Sequence, residues 1–329
     1  MNYEISKRQA KLWSRIGARA AFGQAILELA NTDDDMIAIS ADLGRSSGFG
    51  PLVAKHPNKF INAGIAEQNM IGVSAGFSKL GYNVYATSFA PFLSYRASEM
   101  IRMNLSYMKI PVNIVGLASG LALGFLGNSH FGLEDISIFK TFPEINIFSP
   151  ADCSEIFKIV ELTSKLKQPS YIRLTGGVNF PIVYEEDYDL EFGKFNSVFS
   201  SGDEVHIYAT GSMVYHCREA AKLLEDVGIH CKVFNVHTIR PFDSQSFSEN
   251  CSKSPKLIVS AEEHFIYGGF GTLVLEEISK LKNPNLSLLK IGLPNNYLQS
   301  GEYEFLLKKY ELDSSSIFNS IKKELSVCA

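Results

Sequence analysis

Short apolar runs alternate with helical patterns along almost the whole chain, and this alternation restricts the fold to an α/β class with parallel strands. Residues 36–41 form one such run, and residues 15–31 place small and apolar side chains on one face at helical spacing. One stretch rich in Gly, Pro, Asp and Glu interrupts the alternation. We therefore predict two doubly wound, mostly parallel α/β domains at 1–180 and 203–329, joined by a linker at 181–202.

A length of 329 residues agrees with two domains of ordinary size. The apolar runs predict further strands at 83–88, 111–117, 145–148, 170–174, 204–209, 230–236, 256–260 and 286–290. The helical patterns predict helices at 91–107, 133–141, 152–165, 213–227, 243–250 and 271–282, followed by two C-terminal helical pieces.

Charge and composition exclude several classes of protein. A formal net charge of −4, without a basic cluster, argues against nucleic acid as a partner. Residues 1–10 are polar with no apolar core behind them, which argues against a secretory signal peptide. The apolar run at 114–127 is shorter than the ~20 residues of a membrane span. The five cysteines form no pair at metal-ligand spacing. We expect a cytoplasmic protein with reduced thiols, no membrane contact and no metal ligands of its own.

Glu67 lies in a turn that suits ligand binding. A short strand ends at Gly64, and a helix of small and apolar residues starts at about Ala66. Glu67 therefore lies at the carboxyl end of a strand and in the first turn of a helix, where ligands bind in open α/β sheets. The simpler interpretation is an acid that only benefits from the helix dipole.

The residues around Glu67, Gly-Ile-Ala-Glu-Gln-Asn-Met at 64–70, resemble the glutamate motif of the transketolase and 1-deoxyxylulose-5-phosphate synthase family of thiamine diphosphate enzymes. The resemblance implies that the Glu67 carboxylate bonds to a ring nitrogen of the aminopyrimidine and favours its imino tautomer. That tautomer takes the proton from C2 of the thiazolium, so the cofactor carries the carbanion chemistry. The apolar neighbours of Glu67 suit a partly desolvated carboxyl group.

Two further segments resemble cofactor-binding parts of this family. The segment 88–95, Ser-Phe-Ala-Pro-Phe-Leu-Ser-Tyr, is similar to the one that places aromatic rings against the aminopyrimidine, which assigns Phe89, Phe92 and Tyr95 to the cofactor. By spacing alone, the two phenylalanines would be core residues. Asp42, followed by Leu43, resembles a loop near the cofactor, although an aspartate at a strand end is also a common turn residue.

The same resemblance assigns substrate-binding residues. Arg19, Ser46 and Arg173 match positions that bind the phosphate of the substrate, and guanidinium and hydroxyl groups suit phosphate oxygens. The segment 127–135 contains His130, which matches a histidine that contacts the two-carbon unit and moves protons. Each of these residues alone would be an ordinary surface or loop residue.

This chain departs from the family at two positions near His130. In relatives, an aspartate recognises a hydroxyl of the acceptor at the position of Leu126, and a histidine contacts the acceptor at the position of Ala118. The exchange of a buried carboxylate for Leu implies that the matching hydroxyl is absent from the substrate, because an unpaired buried hydroxyl costs about 1–3 kcal/mol. We expect an acceptor other than the usual phosphorylated aldose, such as a ketone or a nucleotide-linked sugar.

The diphosphate half of the cofactor has no counterpart in the sequence. Relatives bind it through Mg2+ with a Gly-Asp-Gly motif, which this chain lacks; the nearest match is Gly202-Asp203-Glu204. The chain therefore resembles the C-terminal half of a split transketolase: a pyrimidine-binding domain and a transketolase C-terminal domain. This implies a separately encoded subunit that carries the diphosphate domain and the Mg2+ ligands, in an α2β2 heterotetramer.

The predicted activity is transfer of a two-carbon ketol unit from a ketose to an aldehyde or ketone acceptor, in specialised sugar biosynthesis, with a phosphorylated or nucleotide-linked sugar as substrate. One alternative is the β subunit of a 2-oxo acid dehydrogenase. The Gly-Ile-Ala-Glu-Gln sequence around Glu67 and the presence of His130 argue against this alternative. The other alternative is a catalytically silent scaffolding subunit. The resemblance assigns the second domain mainly to assembly, so His237 and His264 are expected to be structural.

Overall fold

The computed structural model describes residues 1–281 and 286–328, which form two sheets flanked by helices. Up to residue 180 the elements are α1 (Lys7–Ile16), α2 (Ala18–Ala30), β1 (Met36–Ser40), α3 (Gly50–Lys55), β2 (Phe60–Asn62), α4 (Glu67–Lys79), β3 (Asn83–Phe89), α5 (Ser98–Met100), β4 (Val112–Leu117), α6 (Asp135–Lys140), β5 (Asn146–Phe148), α7 (Cys153–Lys165) and β6 (Ser170–Arg173). The later elements are β7 (Asn196–Ser200), β8 (Val205–Ala209), α8 (Met213–Glu225), β9 (Cys231–Asn235), β10 (Thr238–Arg240), α9 (Ser244–Cys251), β11 (Leu257–Phe265), α10 (Phe270–Lys280), β12 (Leu288–Leu293), α11 (Tyr303–Lys309) and α12 (Ser314–Cys328).

Both sheets are mostly parallel, which confirms the predicted α/β class. The first has the strand order β10-β5-β6-β4-β3-β1-β2, and only β10 is antiparallel to its neighbour. The second has the order β12-β11-β8-β9-β7, with β7 as its antiparallel edge. Every residue of β1, β4, β6, β8 and β11 is buried, because helices cover both faces of each sheet.

The helix predicted at 15–31 is interrupted at Gly17. That residue separates α1 from α2 with φ at 79° and a would-be Cβ only 2.5 Å from the carbonyl oxygen of Gly177. The periodicity did not reveal this break, since apolar residues continue on both sides of it. As a consequence, α2 begins at Ala18 and places Arg19 in its first turn.

The predicted linker at 181–202 contains one regular element, the strand β7, which pairs with β9. The two sheets are also connected by β10, which follows the second-sheet strand β9 but pairs with β5 of the first sheet. The Nη1 atom of Arg240 donates to the carbonyl oxygens of Lys140 (3.0 Å) and Phe142 (2.7 Å) beside this pairing. The strand predicted at 230–236 ended before Thr238, and the three residues of β10 follow it too closely to give a separate signal, so the sequence did not predict β10.

The helix predicted at 91–107 is mostly π-helical, with wider turns than an α-helix. Two π-helical segments, Phe92–Arg96 and Ile101–Tyr107, flank the short helix α5. Wide turns of this kind are common beside functional sites. They begin here directly after β3, and they carry Phe92 and Arg96.

The helix predicted at 271–282 ends at Lys280. Its predicted last residue, 282, lies outside the described residues, as does residue 329. Cys153, Cys217, Cys231 and Cys251 are buried free thiols. In the described ranges, none of the helices combines the length and the apolar character needed to cross a bilayer.

Candidate active site

Glu67 begins α4 directly after the tight turn that follows β2. Gly64 has φ at 74° in this turn, and its backbone N–H donates to Asn62 Oδ1 at 2.9 Å. The Glu67 side chain is only 7% exposed. Among the described residues, its carboxylate has one hydrogen-bond donor, Arg96 Nη1 at 3.0 Å. The carboxylate is therefore nearly buried, with Arg96 as its one described hydrogen-bond partner.

Aromatic rings and an imidazole form a cluster that Arg96 connects to this carboxylate. Phe89 ends β3, and its ring centroid lies 5.7 Å from that of Phe92 in an edge-on arrangement. The His130 ring lies 5.6 Å from Phe89 and 5.4 Å from Phe92. The guanidinium carbon of Arg96 lies 3.8 Å from the Phe92 centroid and so connects this aromatic cluster to Glu67. The structure thus brings together four of the residues predicted from the sequence, with Arg96 as an addition.

His130 has the surroundings of a neutral imidazole. Partial burial, and next the positive charge of Arg96, lower the pKa of His130 below its ordinary value. The hydroxyl of Ser129 lies 2.9 Å from His130 Nδ1. A neutral imidazole near pH 7 has one nitrogen that accepts a proton and one that donates a hydrogen bond.

The loop that carries His130, residues 120–132 and called the His130 loop below, is held by the second half of the chain. The backbone N–H of Leu121 donates to the buried carboxylate of Glu263 at 2.6 Å. The amide of Asn128 makes two bonds to the backbone of Leu298, one to its carbonyl oxygen (2.7 Å) and one from its N–H (2.8 Å). This loop is therefore fixed in place although it lacks long regular elements.

Asp42 and Tyr95 are exposed at the edges of this region. Asp42 has φ at 58°, its Oδ1 accepts from Asn62 Nδ2 at 2.8 Å, and its N–H donates to Asn62 Oδ1. Asp42 thus supports the turn that leads to Glu67. Tyr95 is 57% exposed, and burial of its ring together with the neighbouring Glu134 carboxylate raises the pKa of Tyr95 to about 12.

A cavity of about 190 Å³ contains two of the predicted substrate-binding residues. Its wall is formed by the first turn of α2, the loop after β1 and the segment after β6, and it includes Arg19, Arg45 and Ser46. Arg19 Nη1 lies 3.5 Å from the carbonyl oxygen of Ser46, and burial lowers the pKa of Arg19. None of the described residues in this wall is acidic, so two guanidinium groups and a helix N-terminus leave the cavity suited to an anion. Ala122, from the His130 loop, closes one side.

Arg173, the third predicted phosphate ligand, is not in that cavity. Its side chain is 1% exposed, and Nε donates to both carboxylate oxygens of Asp135 at 2.9 and 3.1 Å. Its Nη2 donates to the carbonyl oxygens of Gly132 and Glu263. Burial works against the charged form, but Asp135 raises the pKa of Arg173. The expected contact of Arg173 with substrate is therefore corrected to an internal ion pair, because the fully buried Asp135 takes up the guanidinium.

The two positions that depart from the family differ in exposure. Ala118 is buried and has φ at 52°. Leu126 is 43% exposed, so this position is not buried in this chain. Leu126 and the 64% exposed Phe125 are exposed apolar residues of the loop that carries His130.

Two site residues were missed from the sequence. Arg96 follows Phe92 at helical spacing, which would have placed both on one face. Arg45 directly precedes Ser46, and a second cation beside an expected phosphate ligand is a usable signal. Within residues 1–281 and 286–328, no cluster of three or more His, Cys, Asp or Glu side chains is arranged to hold a metal ion.

Comparison with known families agrees with this geometry. The family described as "Transketolase, pyrimidine binding domain" matches residues 14–177, and "Transketolase, C-terminal domain" matches residues 193–317. The fold and the carboxylate beside aromatic rings thus define the class of protein. The chain belongs to the transketolase family.

Several relatives that match along most of their length are named as subunits. The chain is 33% identical to one of the subunits of an apulose-4-phosphate transketolase from Phocaeicola vulgatus, over 92% of this chain and 95% of that protein. It is 30% identical to a 6-deoxy-6-sulfo-D-fructose transketolase subunit from a Clostridium strain, over 91% of each. Among solved structures, a split gene transketolase described as an inactive beta4 tetramer superposes with a TM-score of 0.84 at 33% identity, covering 95% of this chain and 99% of that one.

Proposed function

We propose that this chain is the pyrimidine-binding subunit of a split, thiamine diphosphate-dependent transketolase. The enzyme would transfer a two-carbon ketol unit from a ketose donor to an aldehyde or ketone acceptor. The observation that carries the proposal is the nearly buried carboxylate of Glu67, placed at a helix start beside the rings of Phe89 and Phe92 and the imidazole of His130.

The Glu67 carboxylate and its surroundings fit the aminopyrimidine half of thiamine diphosphate. Its carboxylate has one partner among the described residues, an arginine that is 52% exposed and so is free to move. A Cβ added at Gly64 would meet no atom within 4 Å, so the turn before Glu67 borders open space. When bound, the cofactor supplies a carbanion at C2 of its thiazolium that accepts and releases the two-carbon unit.

The residues of this chain then have distinct roles. Glu67 accepts a hydrogen bond from a ring nitrogen and favours the imino tautomer, while Phe89 and Phe92 fix the plane of the ring. His130, neutral near pH 7, donates to the carbonyl or hydroxyl oxygens of the two-carbon unit and moves a proton there. Asp42 acts on the turn before Glu67 through Asn62.

The cavity with Arg19, Arg45 and Ser46 is assigned to an anionic end of the substrate. Two relatives are named for apulose 4-phosphate and 6-deoxy-6-sulfo-D-fructose, both of which are anionic sugars. A phosphate or sulfonate group fits two guanidinium forks and a helix N-terminus. Polar recognition at the acceptor end is reduced by Ala118 and Leu126, which favours a ketone, a nucleotide-linked sugar or another unusual acceptor.

A second polypeptide completes the site in this proposal. The chain lacks the Gly-Asp-Gly motif, so the diphosphate and its Mg2+ would bind to a separately encoded subunit in an α2β2 heterotetramer. The names of full-length relatives as subunits, and a solved neighbour described as an inactive beta4 tetramer, support this division. We further infer a cytoplasmic enzyme of carbohydrate metabolism.

Reconstitution tests the proposal. The purified chain is assayed with thiamine diphosphate, Mg2+ and a panel of ketose phosphates and 2-oxo acids, first alone and then with the subunit encoded beside it. We expect no turnover alone, and turnover of ketoses in the complex. Glu67→Gln should lower kcat at least about a hundredfold, as expected when a group that drives proton transfer is lost. The exposed Glu99→Gln, which pairs only with Arg102 in the described structure, is the matched control.

The outcomes separate the alternatives. Full activity without a second subunit would refute the split-site proposal. Turnover of 2-oxo acids but not ketoses would favour a dehydrogenase β subunit. An active complex that is indifferent to Glu67→Gln would leave this chain as a scaffold, and ribose 5-phosphate turnover at ordinary transketolase rates would contradict the changed acceptor.

A further inference from the structure

Arg96 occupies the centre of the candidate active site although no family motif assigned it a role. Its Nη1 donates to Glu67 Oε1 at 3.0 Å, and its guanidinium carbon lies 3.8 Å from the centroid of Phe92. Arg96 therefore contacts both groups that the aminopyrimidine needs: the carboxylate and the aromatic face. Its charge also reaches His130, whose pKa it lowers after the larger effect of burial.

The guanidinium resembles the aminopyrimidine in the properties that matter here. It is flat, delocalised and rich in N–H donors, so it stacks on an aromatic ring while it donates to a carboxylate. A ring with a protonated nitrogen would make the same two contacts with Glu67 and Phe92. Both groups cannot occupy one face of one ring at the same time.

We propose that Arg96 is a placeholder in the cofactor site, occupying in the free subunit the position that the aminopyrimidine ring takes in the assembled enzyme. The inference rests on the proposed function, since it requires that Glu67 and Phe92 bind that ring. Arg96 keeps the desolvated Glu67 carboxylate paired until the cofactor arrives, and its departure is one step of binding.

Displacement of Arg96 is feasible because few contacts hold it. The side chain is 52% exposed, and Glu67 is the only side chain or carbonyl in the described structure that accepts from its guanidinium. Its backbone is anchored independently, as Gln68 Nε2 donates to the Arg96 carbonyl oxygen at 2.9 Å. The side chain is thus able to swing out while the π-helical turn that carries Phe92 stays in place.

The direct test measures cofactor affinity rather than activity. The reconstituted complex is titrated with thiamine diphosphate in Mg2+ by calorimetry, for the wild type, Arg96→Ala and the control Arg102→Ala. Arg102 lies in the neighbouring π-helical segment and pairs with Glu99 rather than with Glu67. We expect Arg96→Ala to bind the cofactor about three- to tenfold more tightly, the size of one half-exposed ion pair with a cation–π contact. Arg102→Ala should leave the affinity unchanged.

A double substitution shows whether the effect passes through the carboxylate. In a Glu67→Gln background, where the ion pair is already absent, Arg96→Ala should gain less affinity than in the wild type. Unchanged or weaker binding by Arg96→Ala would overturn the placeholder role and leave the proposed function standing. A wild-type complex that binds no thiamine diphosphate would overturn the proposed function and this inference together.

A second readout needs neither partner nor cofactor. Histidine-labelled free subunit is titrated by NMR, and Arg96→Ala should raise the pKa of His130 because a nearby positive charge is removed. Arg102→Ala should leave the His130 midpoint unchanged. An unmoved midpoint in Arg96→Ala would place the guanidinium elsewhere in the free subunit and would contradict the inference.

Discussion

Two arginines of this chain show how surroundings decide the role of a side chain. Arg173 is fully buried, pairs with Asp135 and donates to two carbonyl oxygens, so its charge is used inside the protein. Arg96 is half-exposed, and Glu67 is its one described acceptor, so another group is able to replace Arg96 at the Glu67 carboxylate. A motif match treats both as cations in the right part of the sequence. Only the depth of burial and the nature of the partner separate a structural arginine from a functional one.

Replacing Arg173 should test its structural role. Arg173→Met leaves the Asp135 carboxylate buried without its cation, and we expect a loss of about 3–5 kcal/mol in the free energy of unfolding. Adding Asp135→Asn, which removes the buried charge but keeps an acceptor for the Tyr171 hydroxyl, should recover part of that loss. Urea unfolding of the free chain measures both. A double variant as unstable as the sum of the two single variants would contradict the ion-pair explanation.

Among the structural elements, the His130 loop depends on contacts from the second half of the chain. Asn128 bonds twice to Leu298, Gly301 donates to the carbonyl oxygen of Gly124 at 3.0 Å, and Glu263 accepts from Leu121. The family resemblance assigned this second domain mainly to assembly. These contacts give it the additional role of fixing the loop that carries the imidazole.

Removal of the Asn128 amide should loosen that loop without unfolding the protein. Asn128→Ala loses two bonds across the domain boundary, and we expect a loss of about 1–2 kcal/mol in stability. Hydrogen exchange at residues 120–132 should become faster, while exchange in the buried strand β4 should stay as in the wild type. The control is Asn104→Ala, whose amide bonds only to Met100, one turn earlier, in the part of the chain that the structure describes. Equal protection of 120–132 in Asn128→Ala and wild type would show that the amide does not fix the loop.

Across the molecule as a whole, the two halves form one folded unit. The strand β10 belongs to the second half by sequence but extends the first sheet, and the buried carboxylate of Glu263 reaches the His130 loop of the first half. Arg240 adds two bonds to carbonyl oxygens of the first half. Neither half alone satisfies all of these groups, so we expect the halves to unfold together.

Cleavage of the linker tests this unity. Residues 185–187 are exposed, and a protease site inserted between Glu185 and Glu186 allows a single cut in the folded chain. The two fragments should remain together on size-exclusion chromatography under native conditions and separate only in denaturant. Adding Arg240→Ala should lower the denaturant concentration that separates them. Fragments that elute apart after cutting would show that the domains are independent.

Local signals in the amino-acid sequence were enough to predict the fold class and the position of the key carboxylate. These signals are the alternation of apolar runs with helical faces and the glycine turn between β2 and α4 that brings Glu67 to a strand end. Phe89 and Phe92, at and just beyond the end of a buried strand, were assigned to the site by the family resemblance, because their spacing alone is that of core residues.

Which side chains meet depends on the three-dimensional arrangement of the chain. The pairs Arg96–Glu67 and Arg173–Asp135, the crossing of β10 and the anchoring of the His130 loop all join residues about thirty or more positions apart. No periodicity in the chain records such pairs, because their formation depends on packing geometry and on the free energy of burying charge. For the same reason the motif match assigned Arg173 to the substrate, while the fold places it against Asp135.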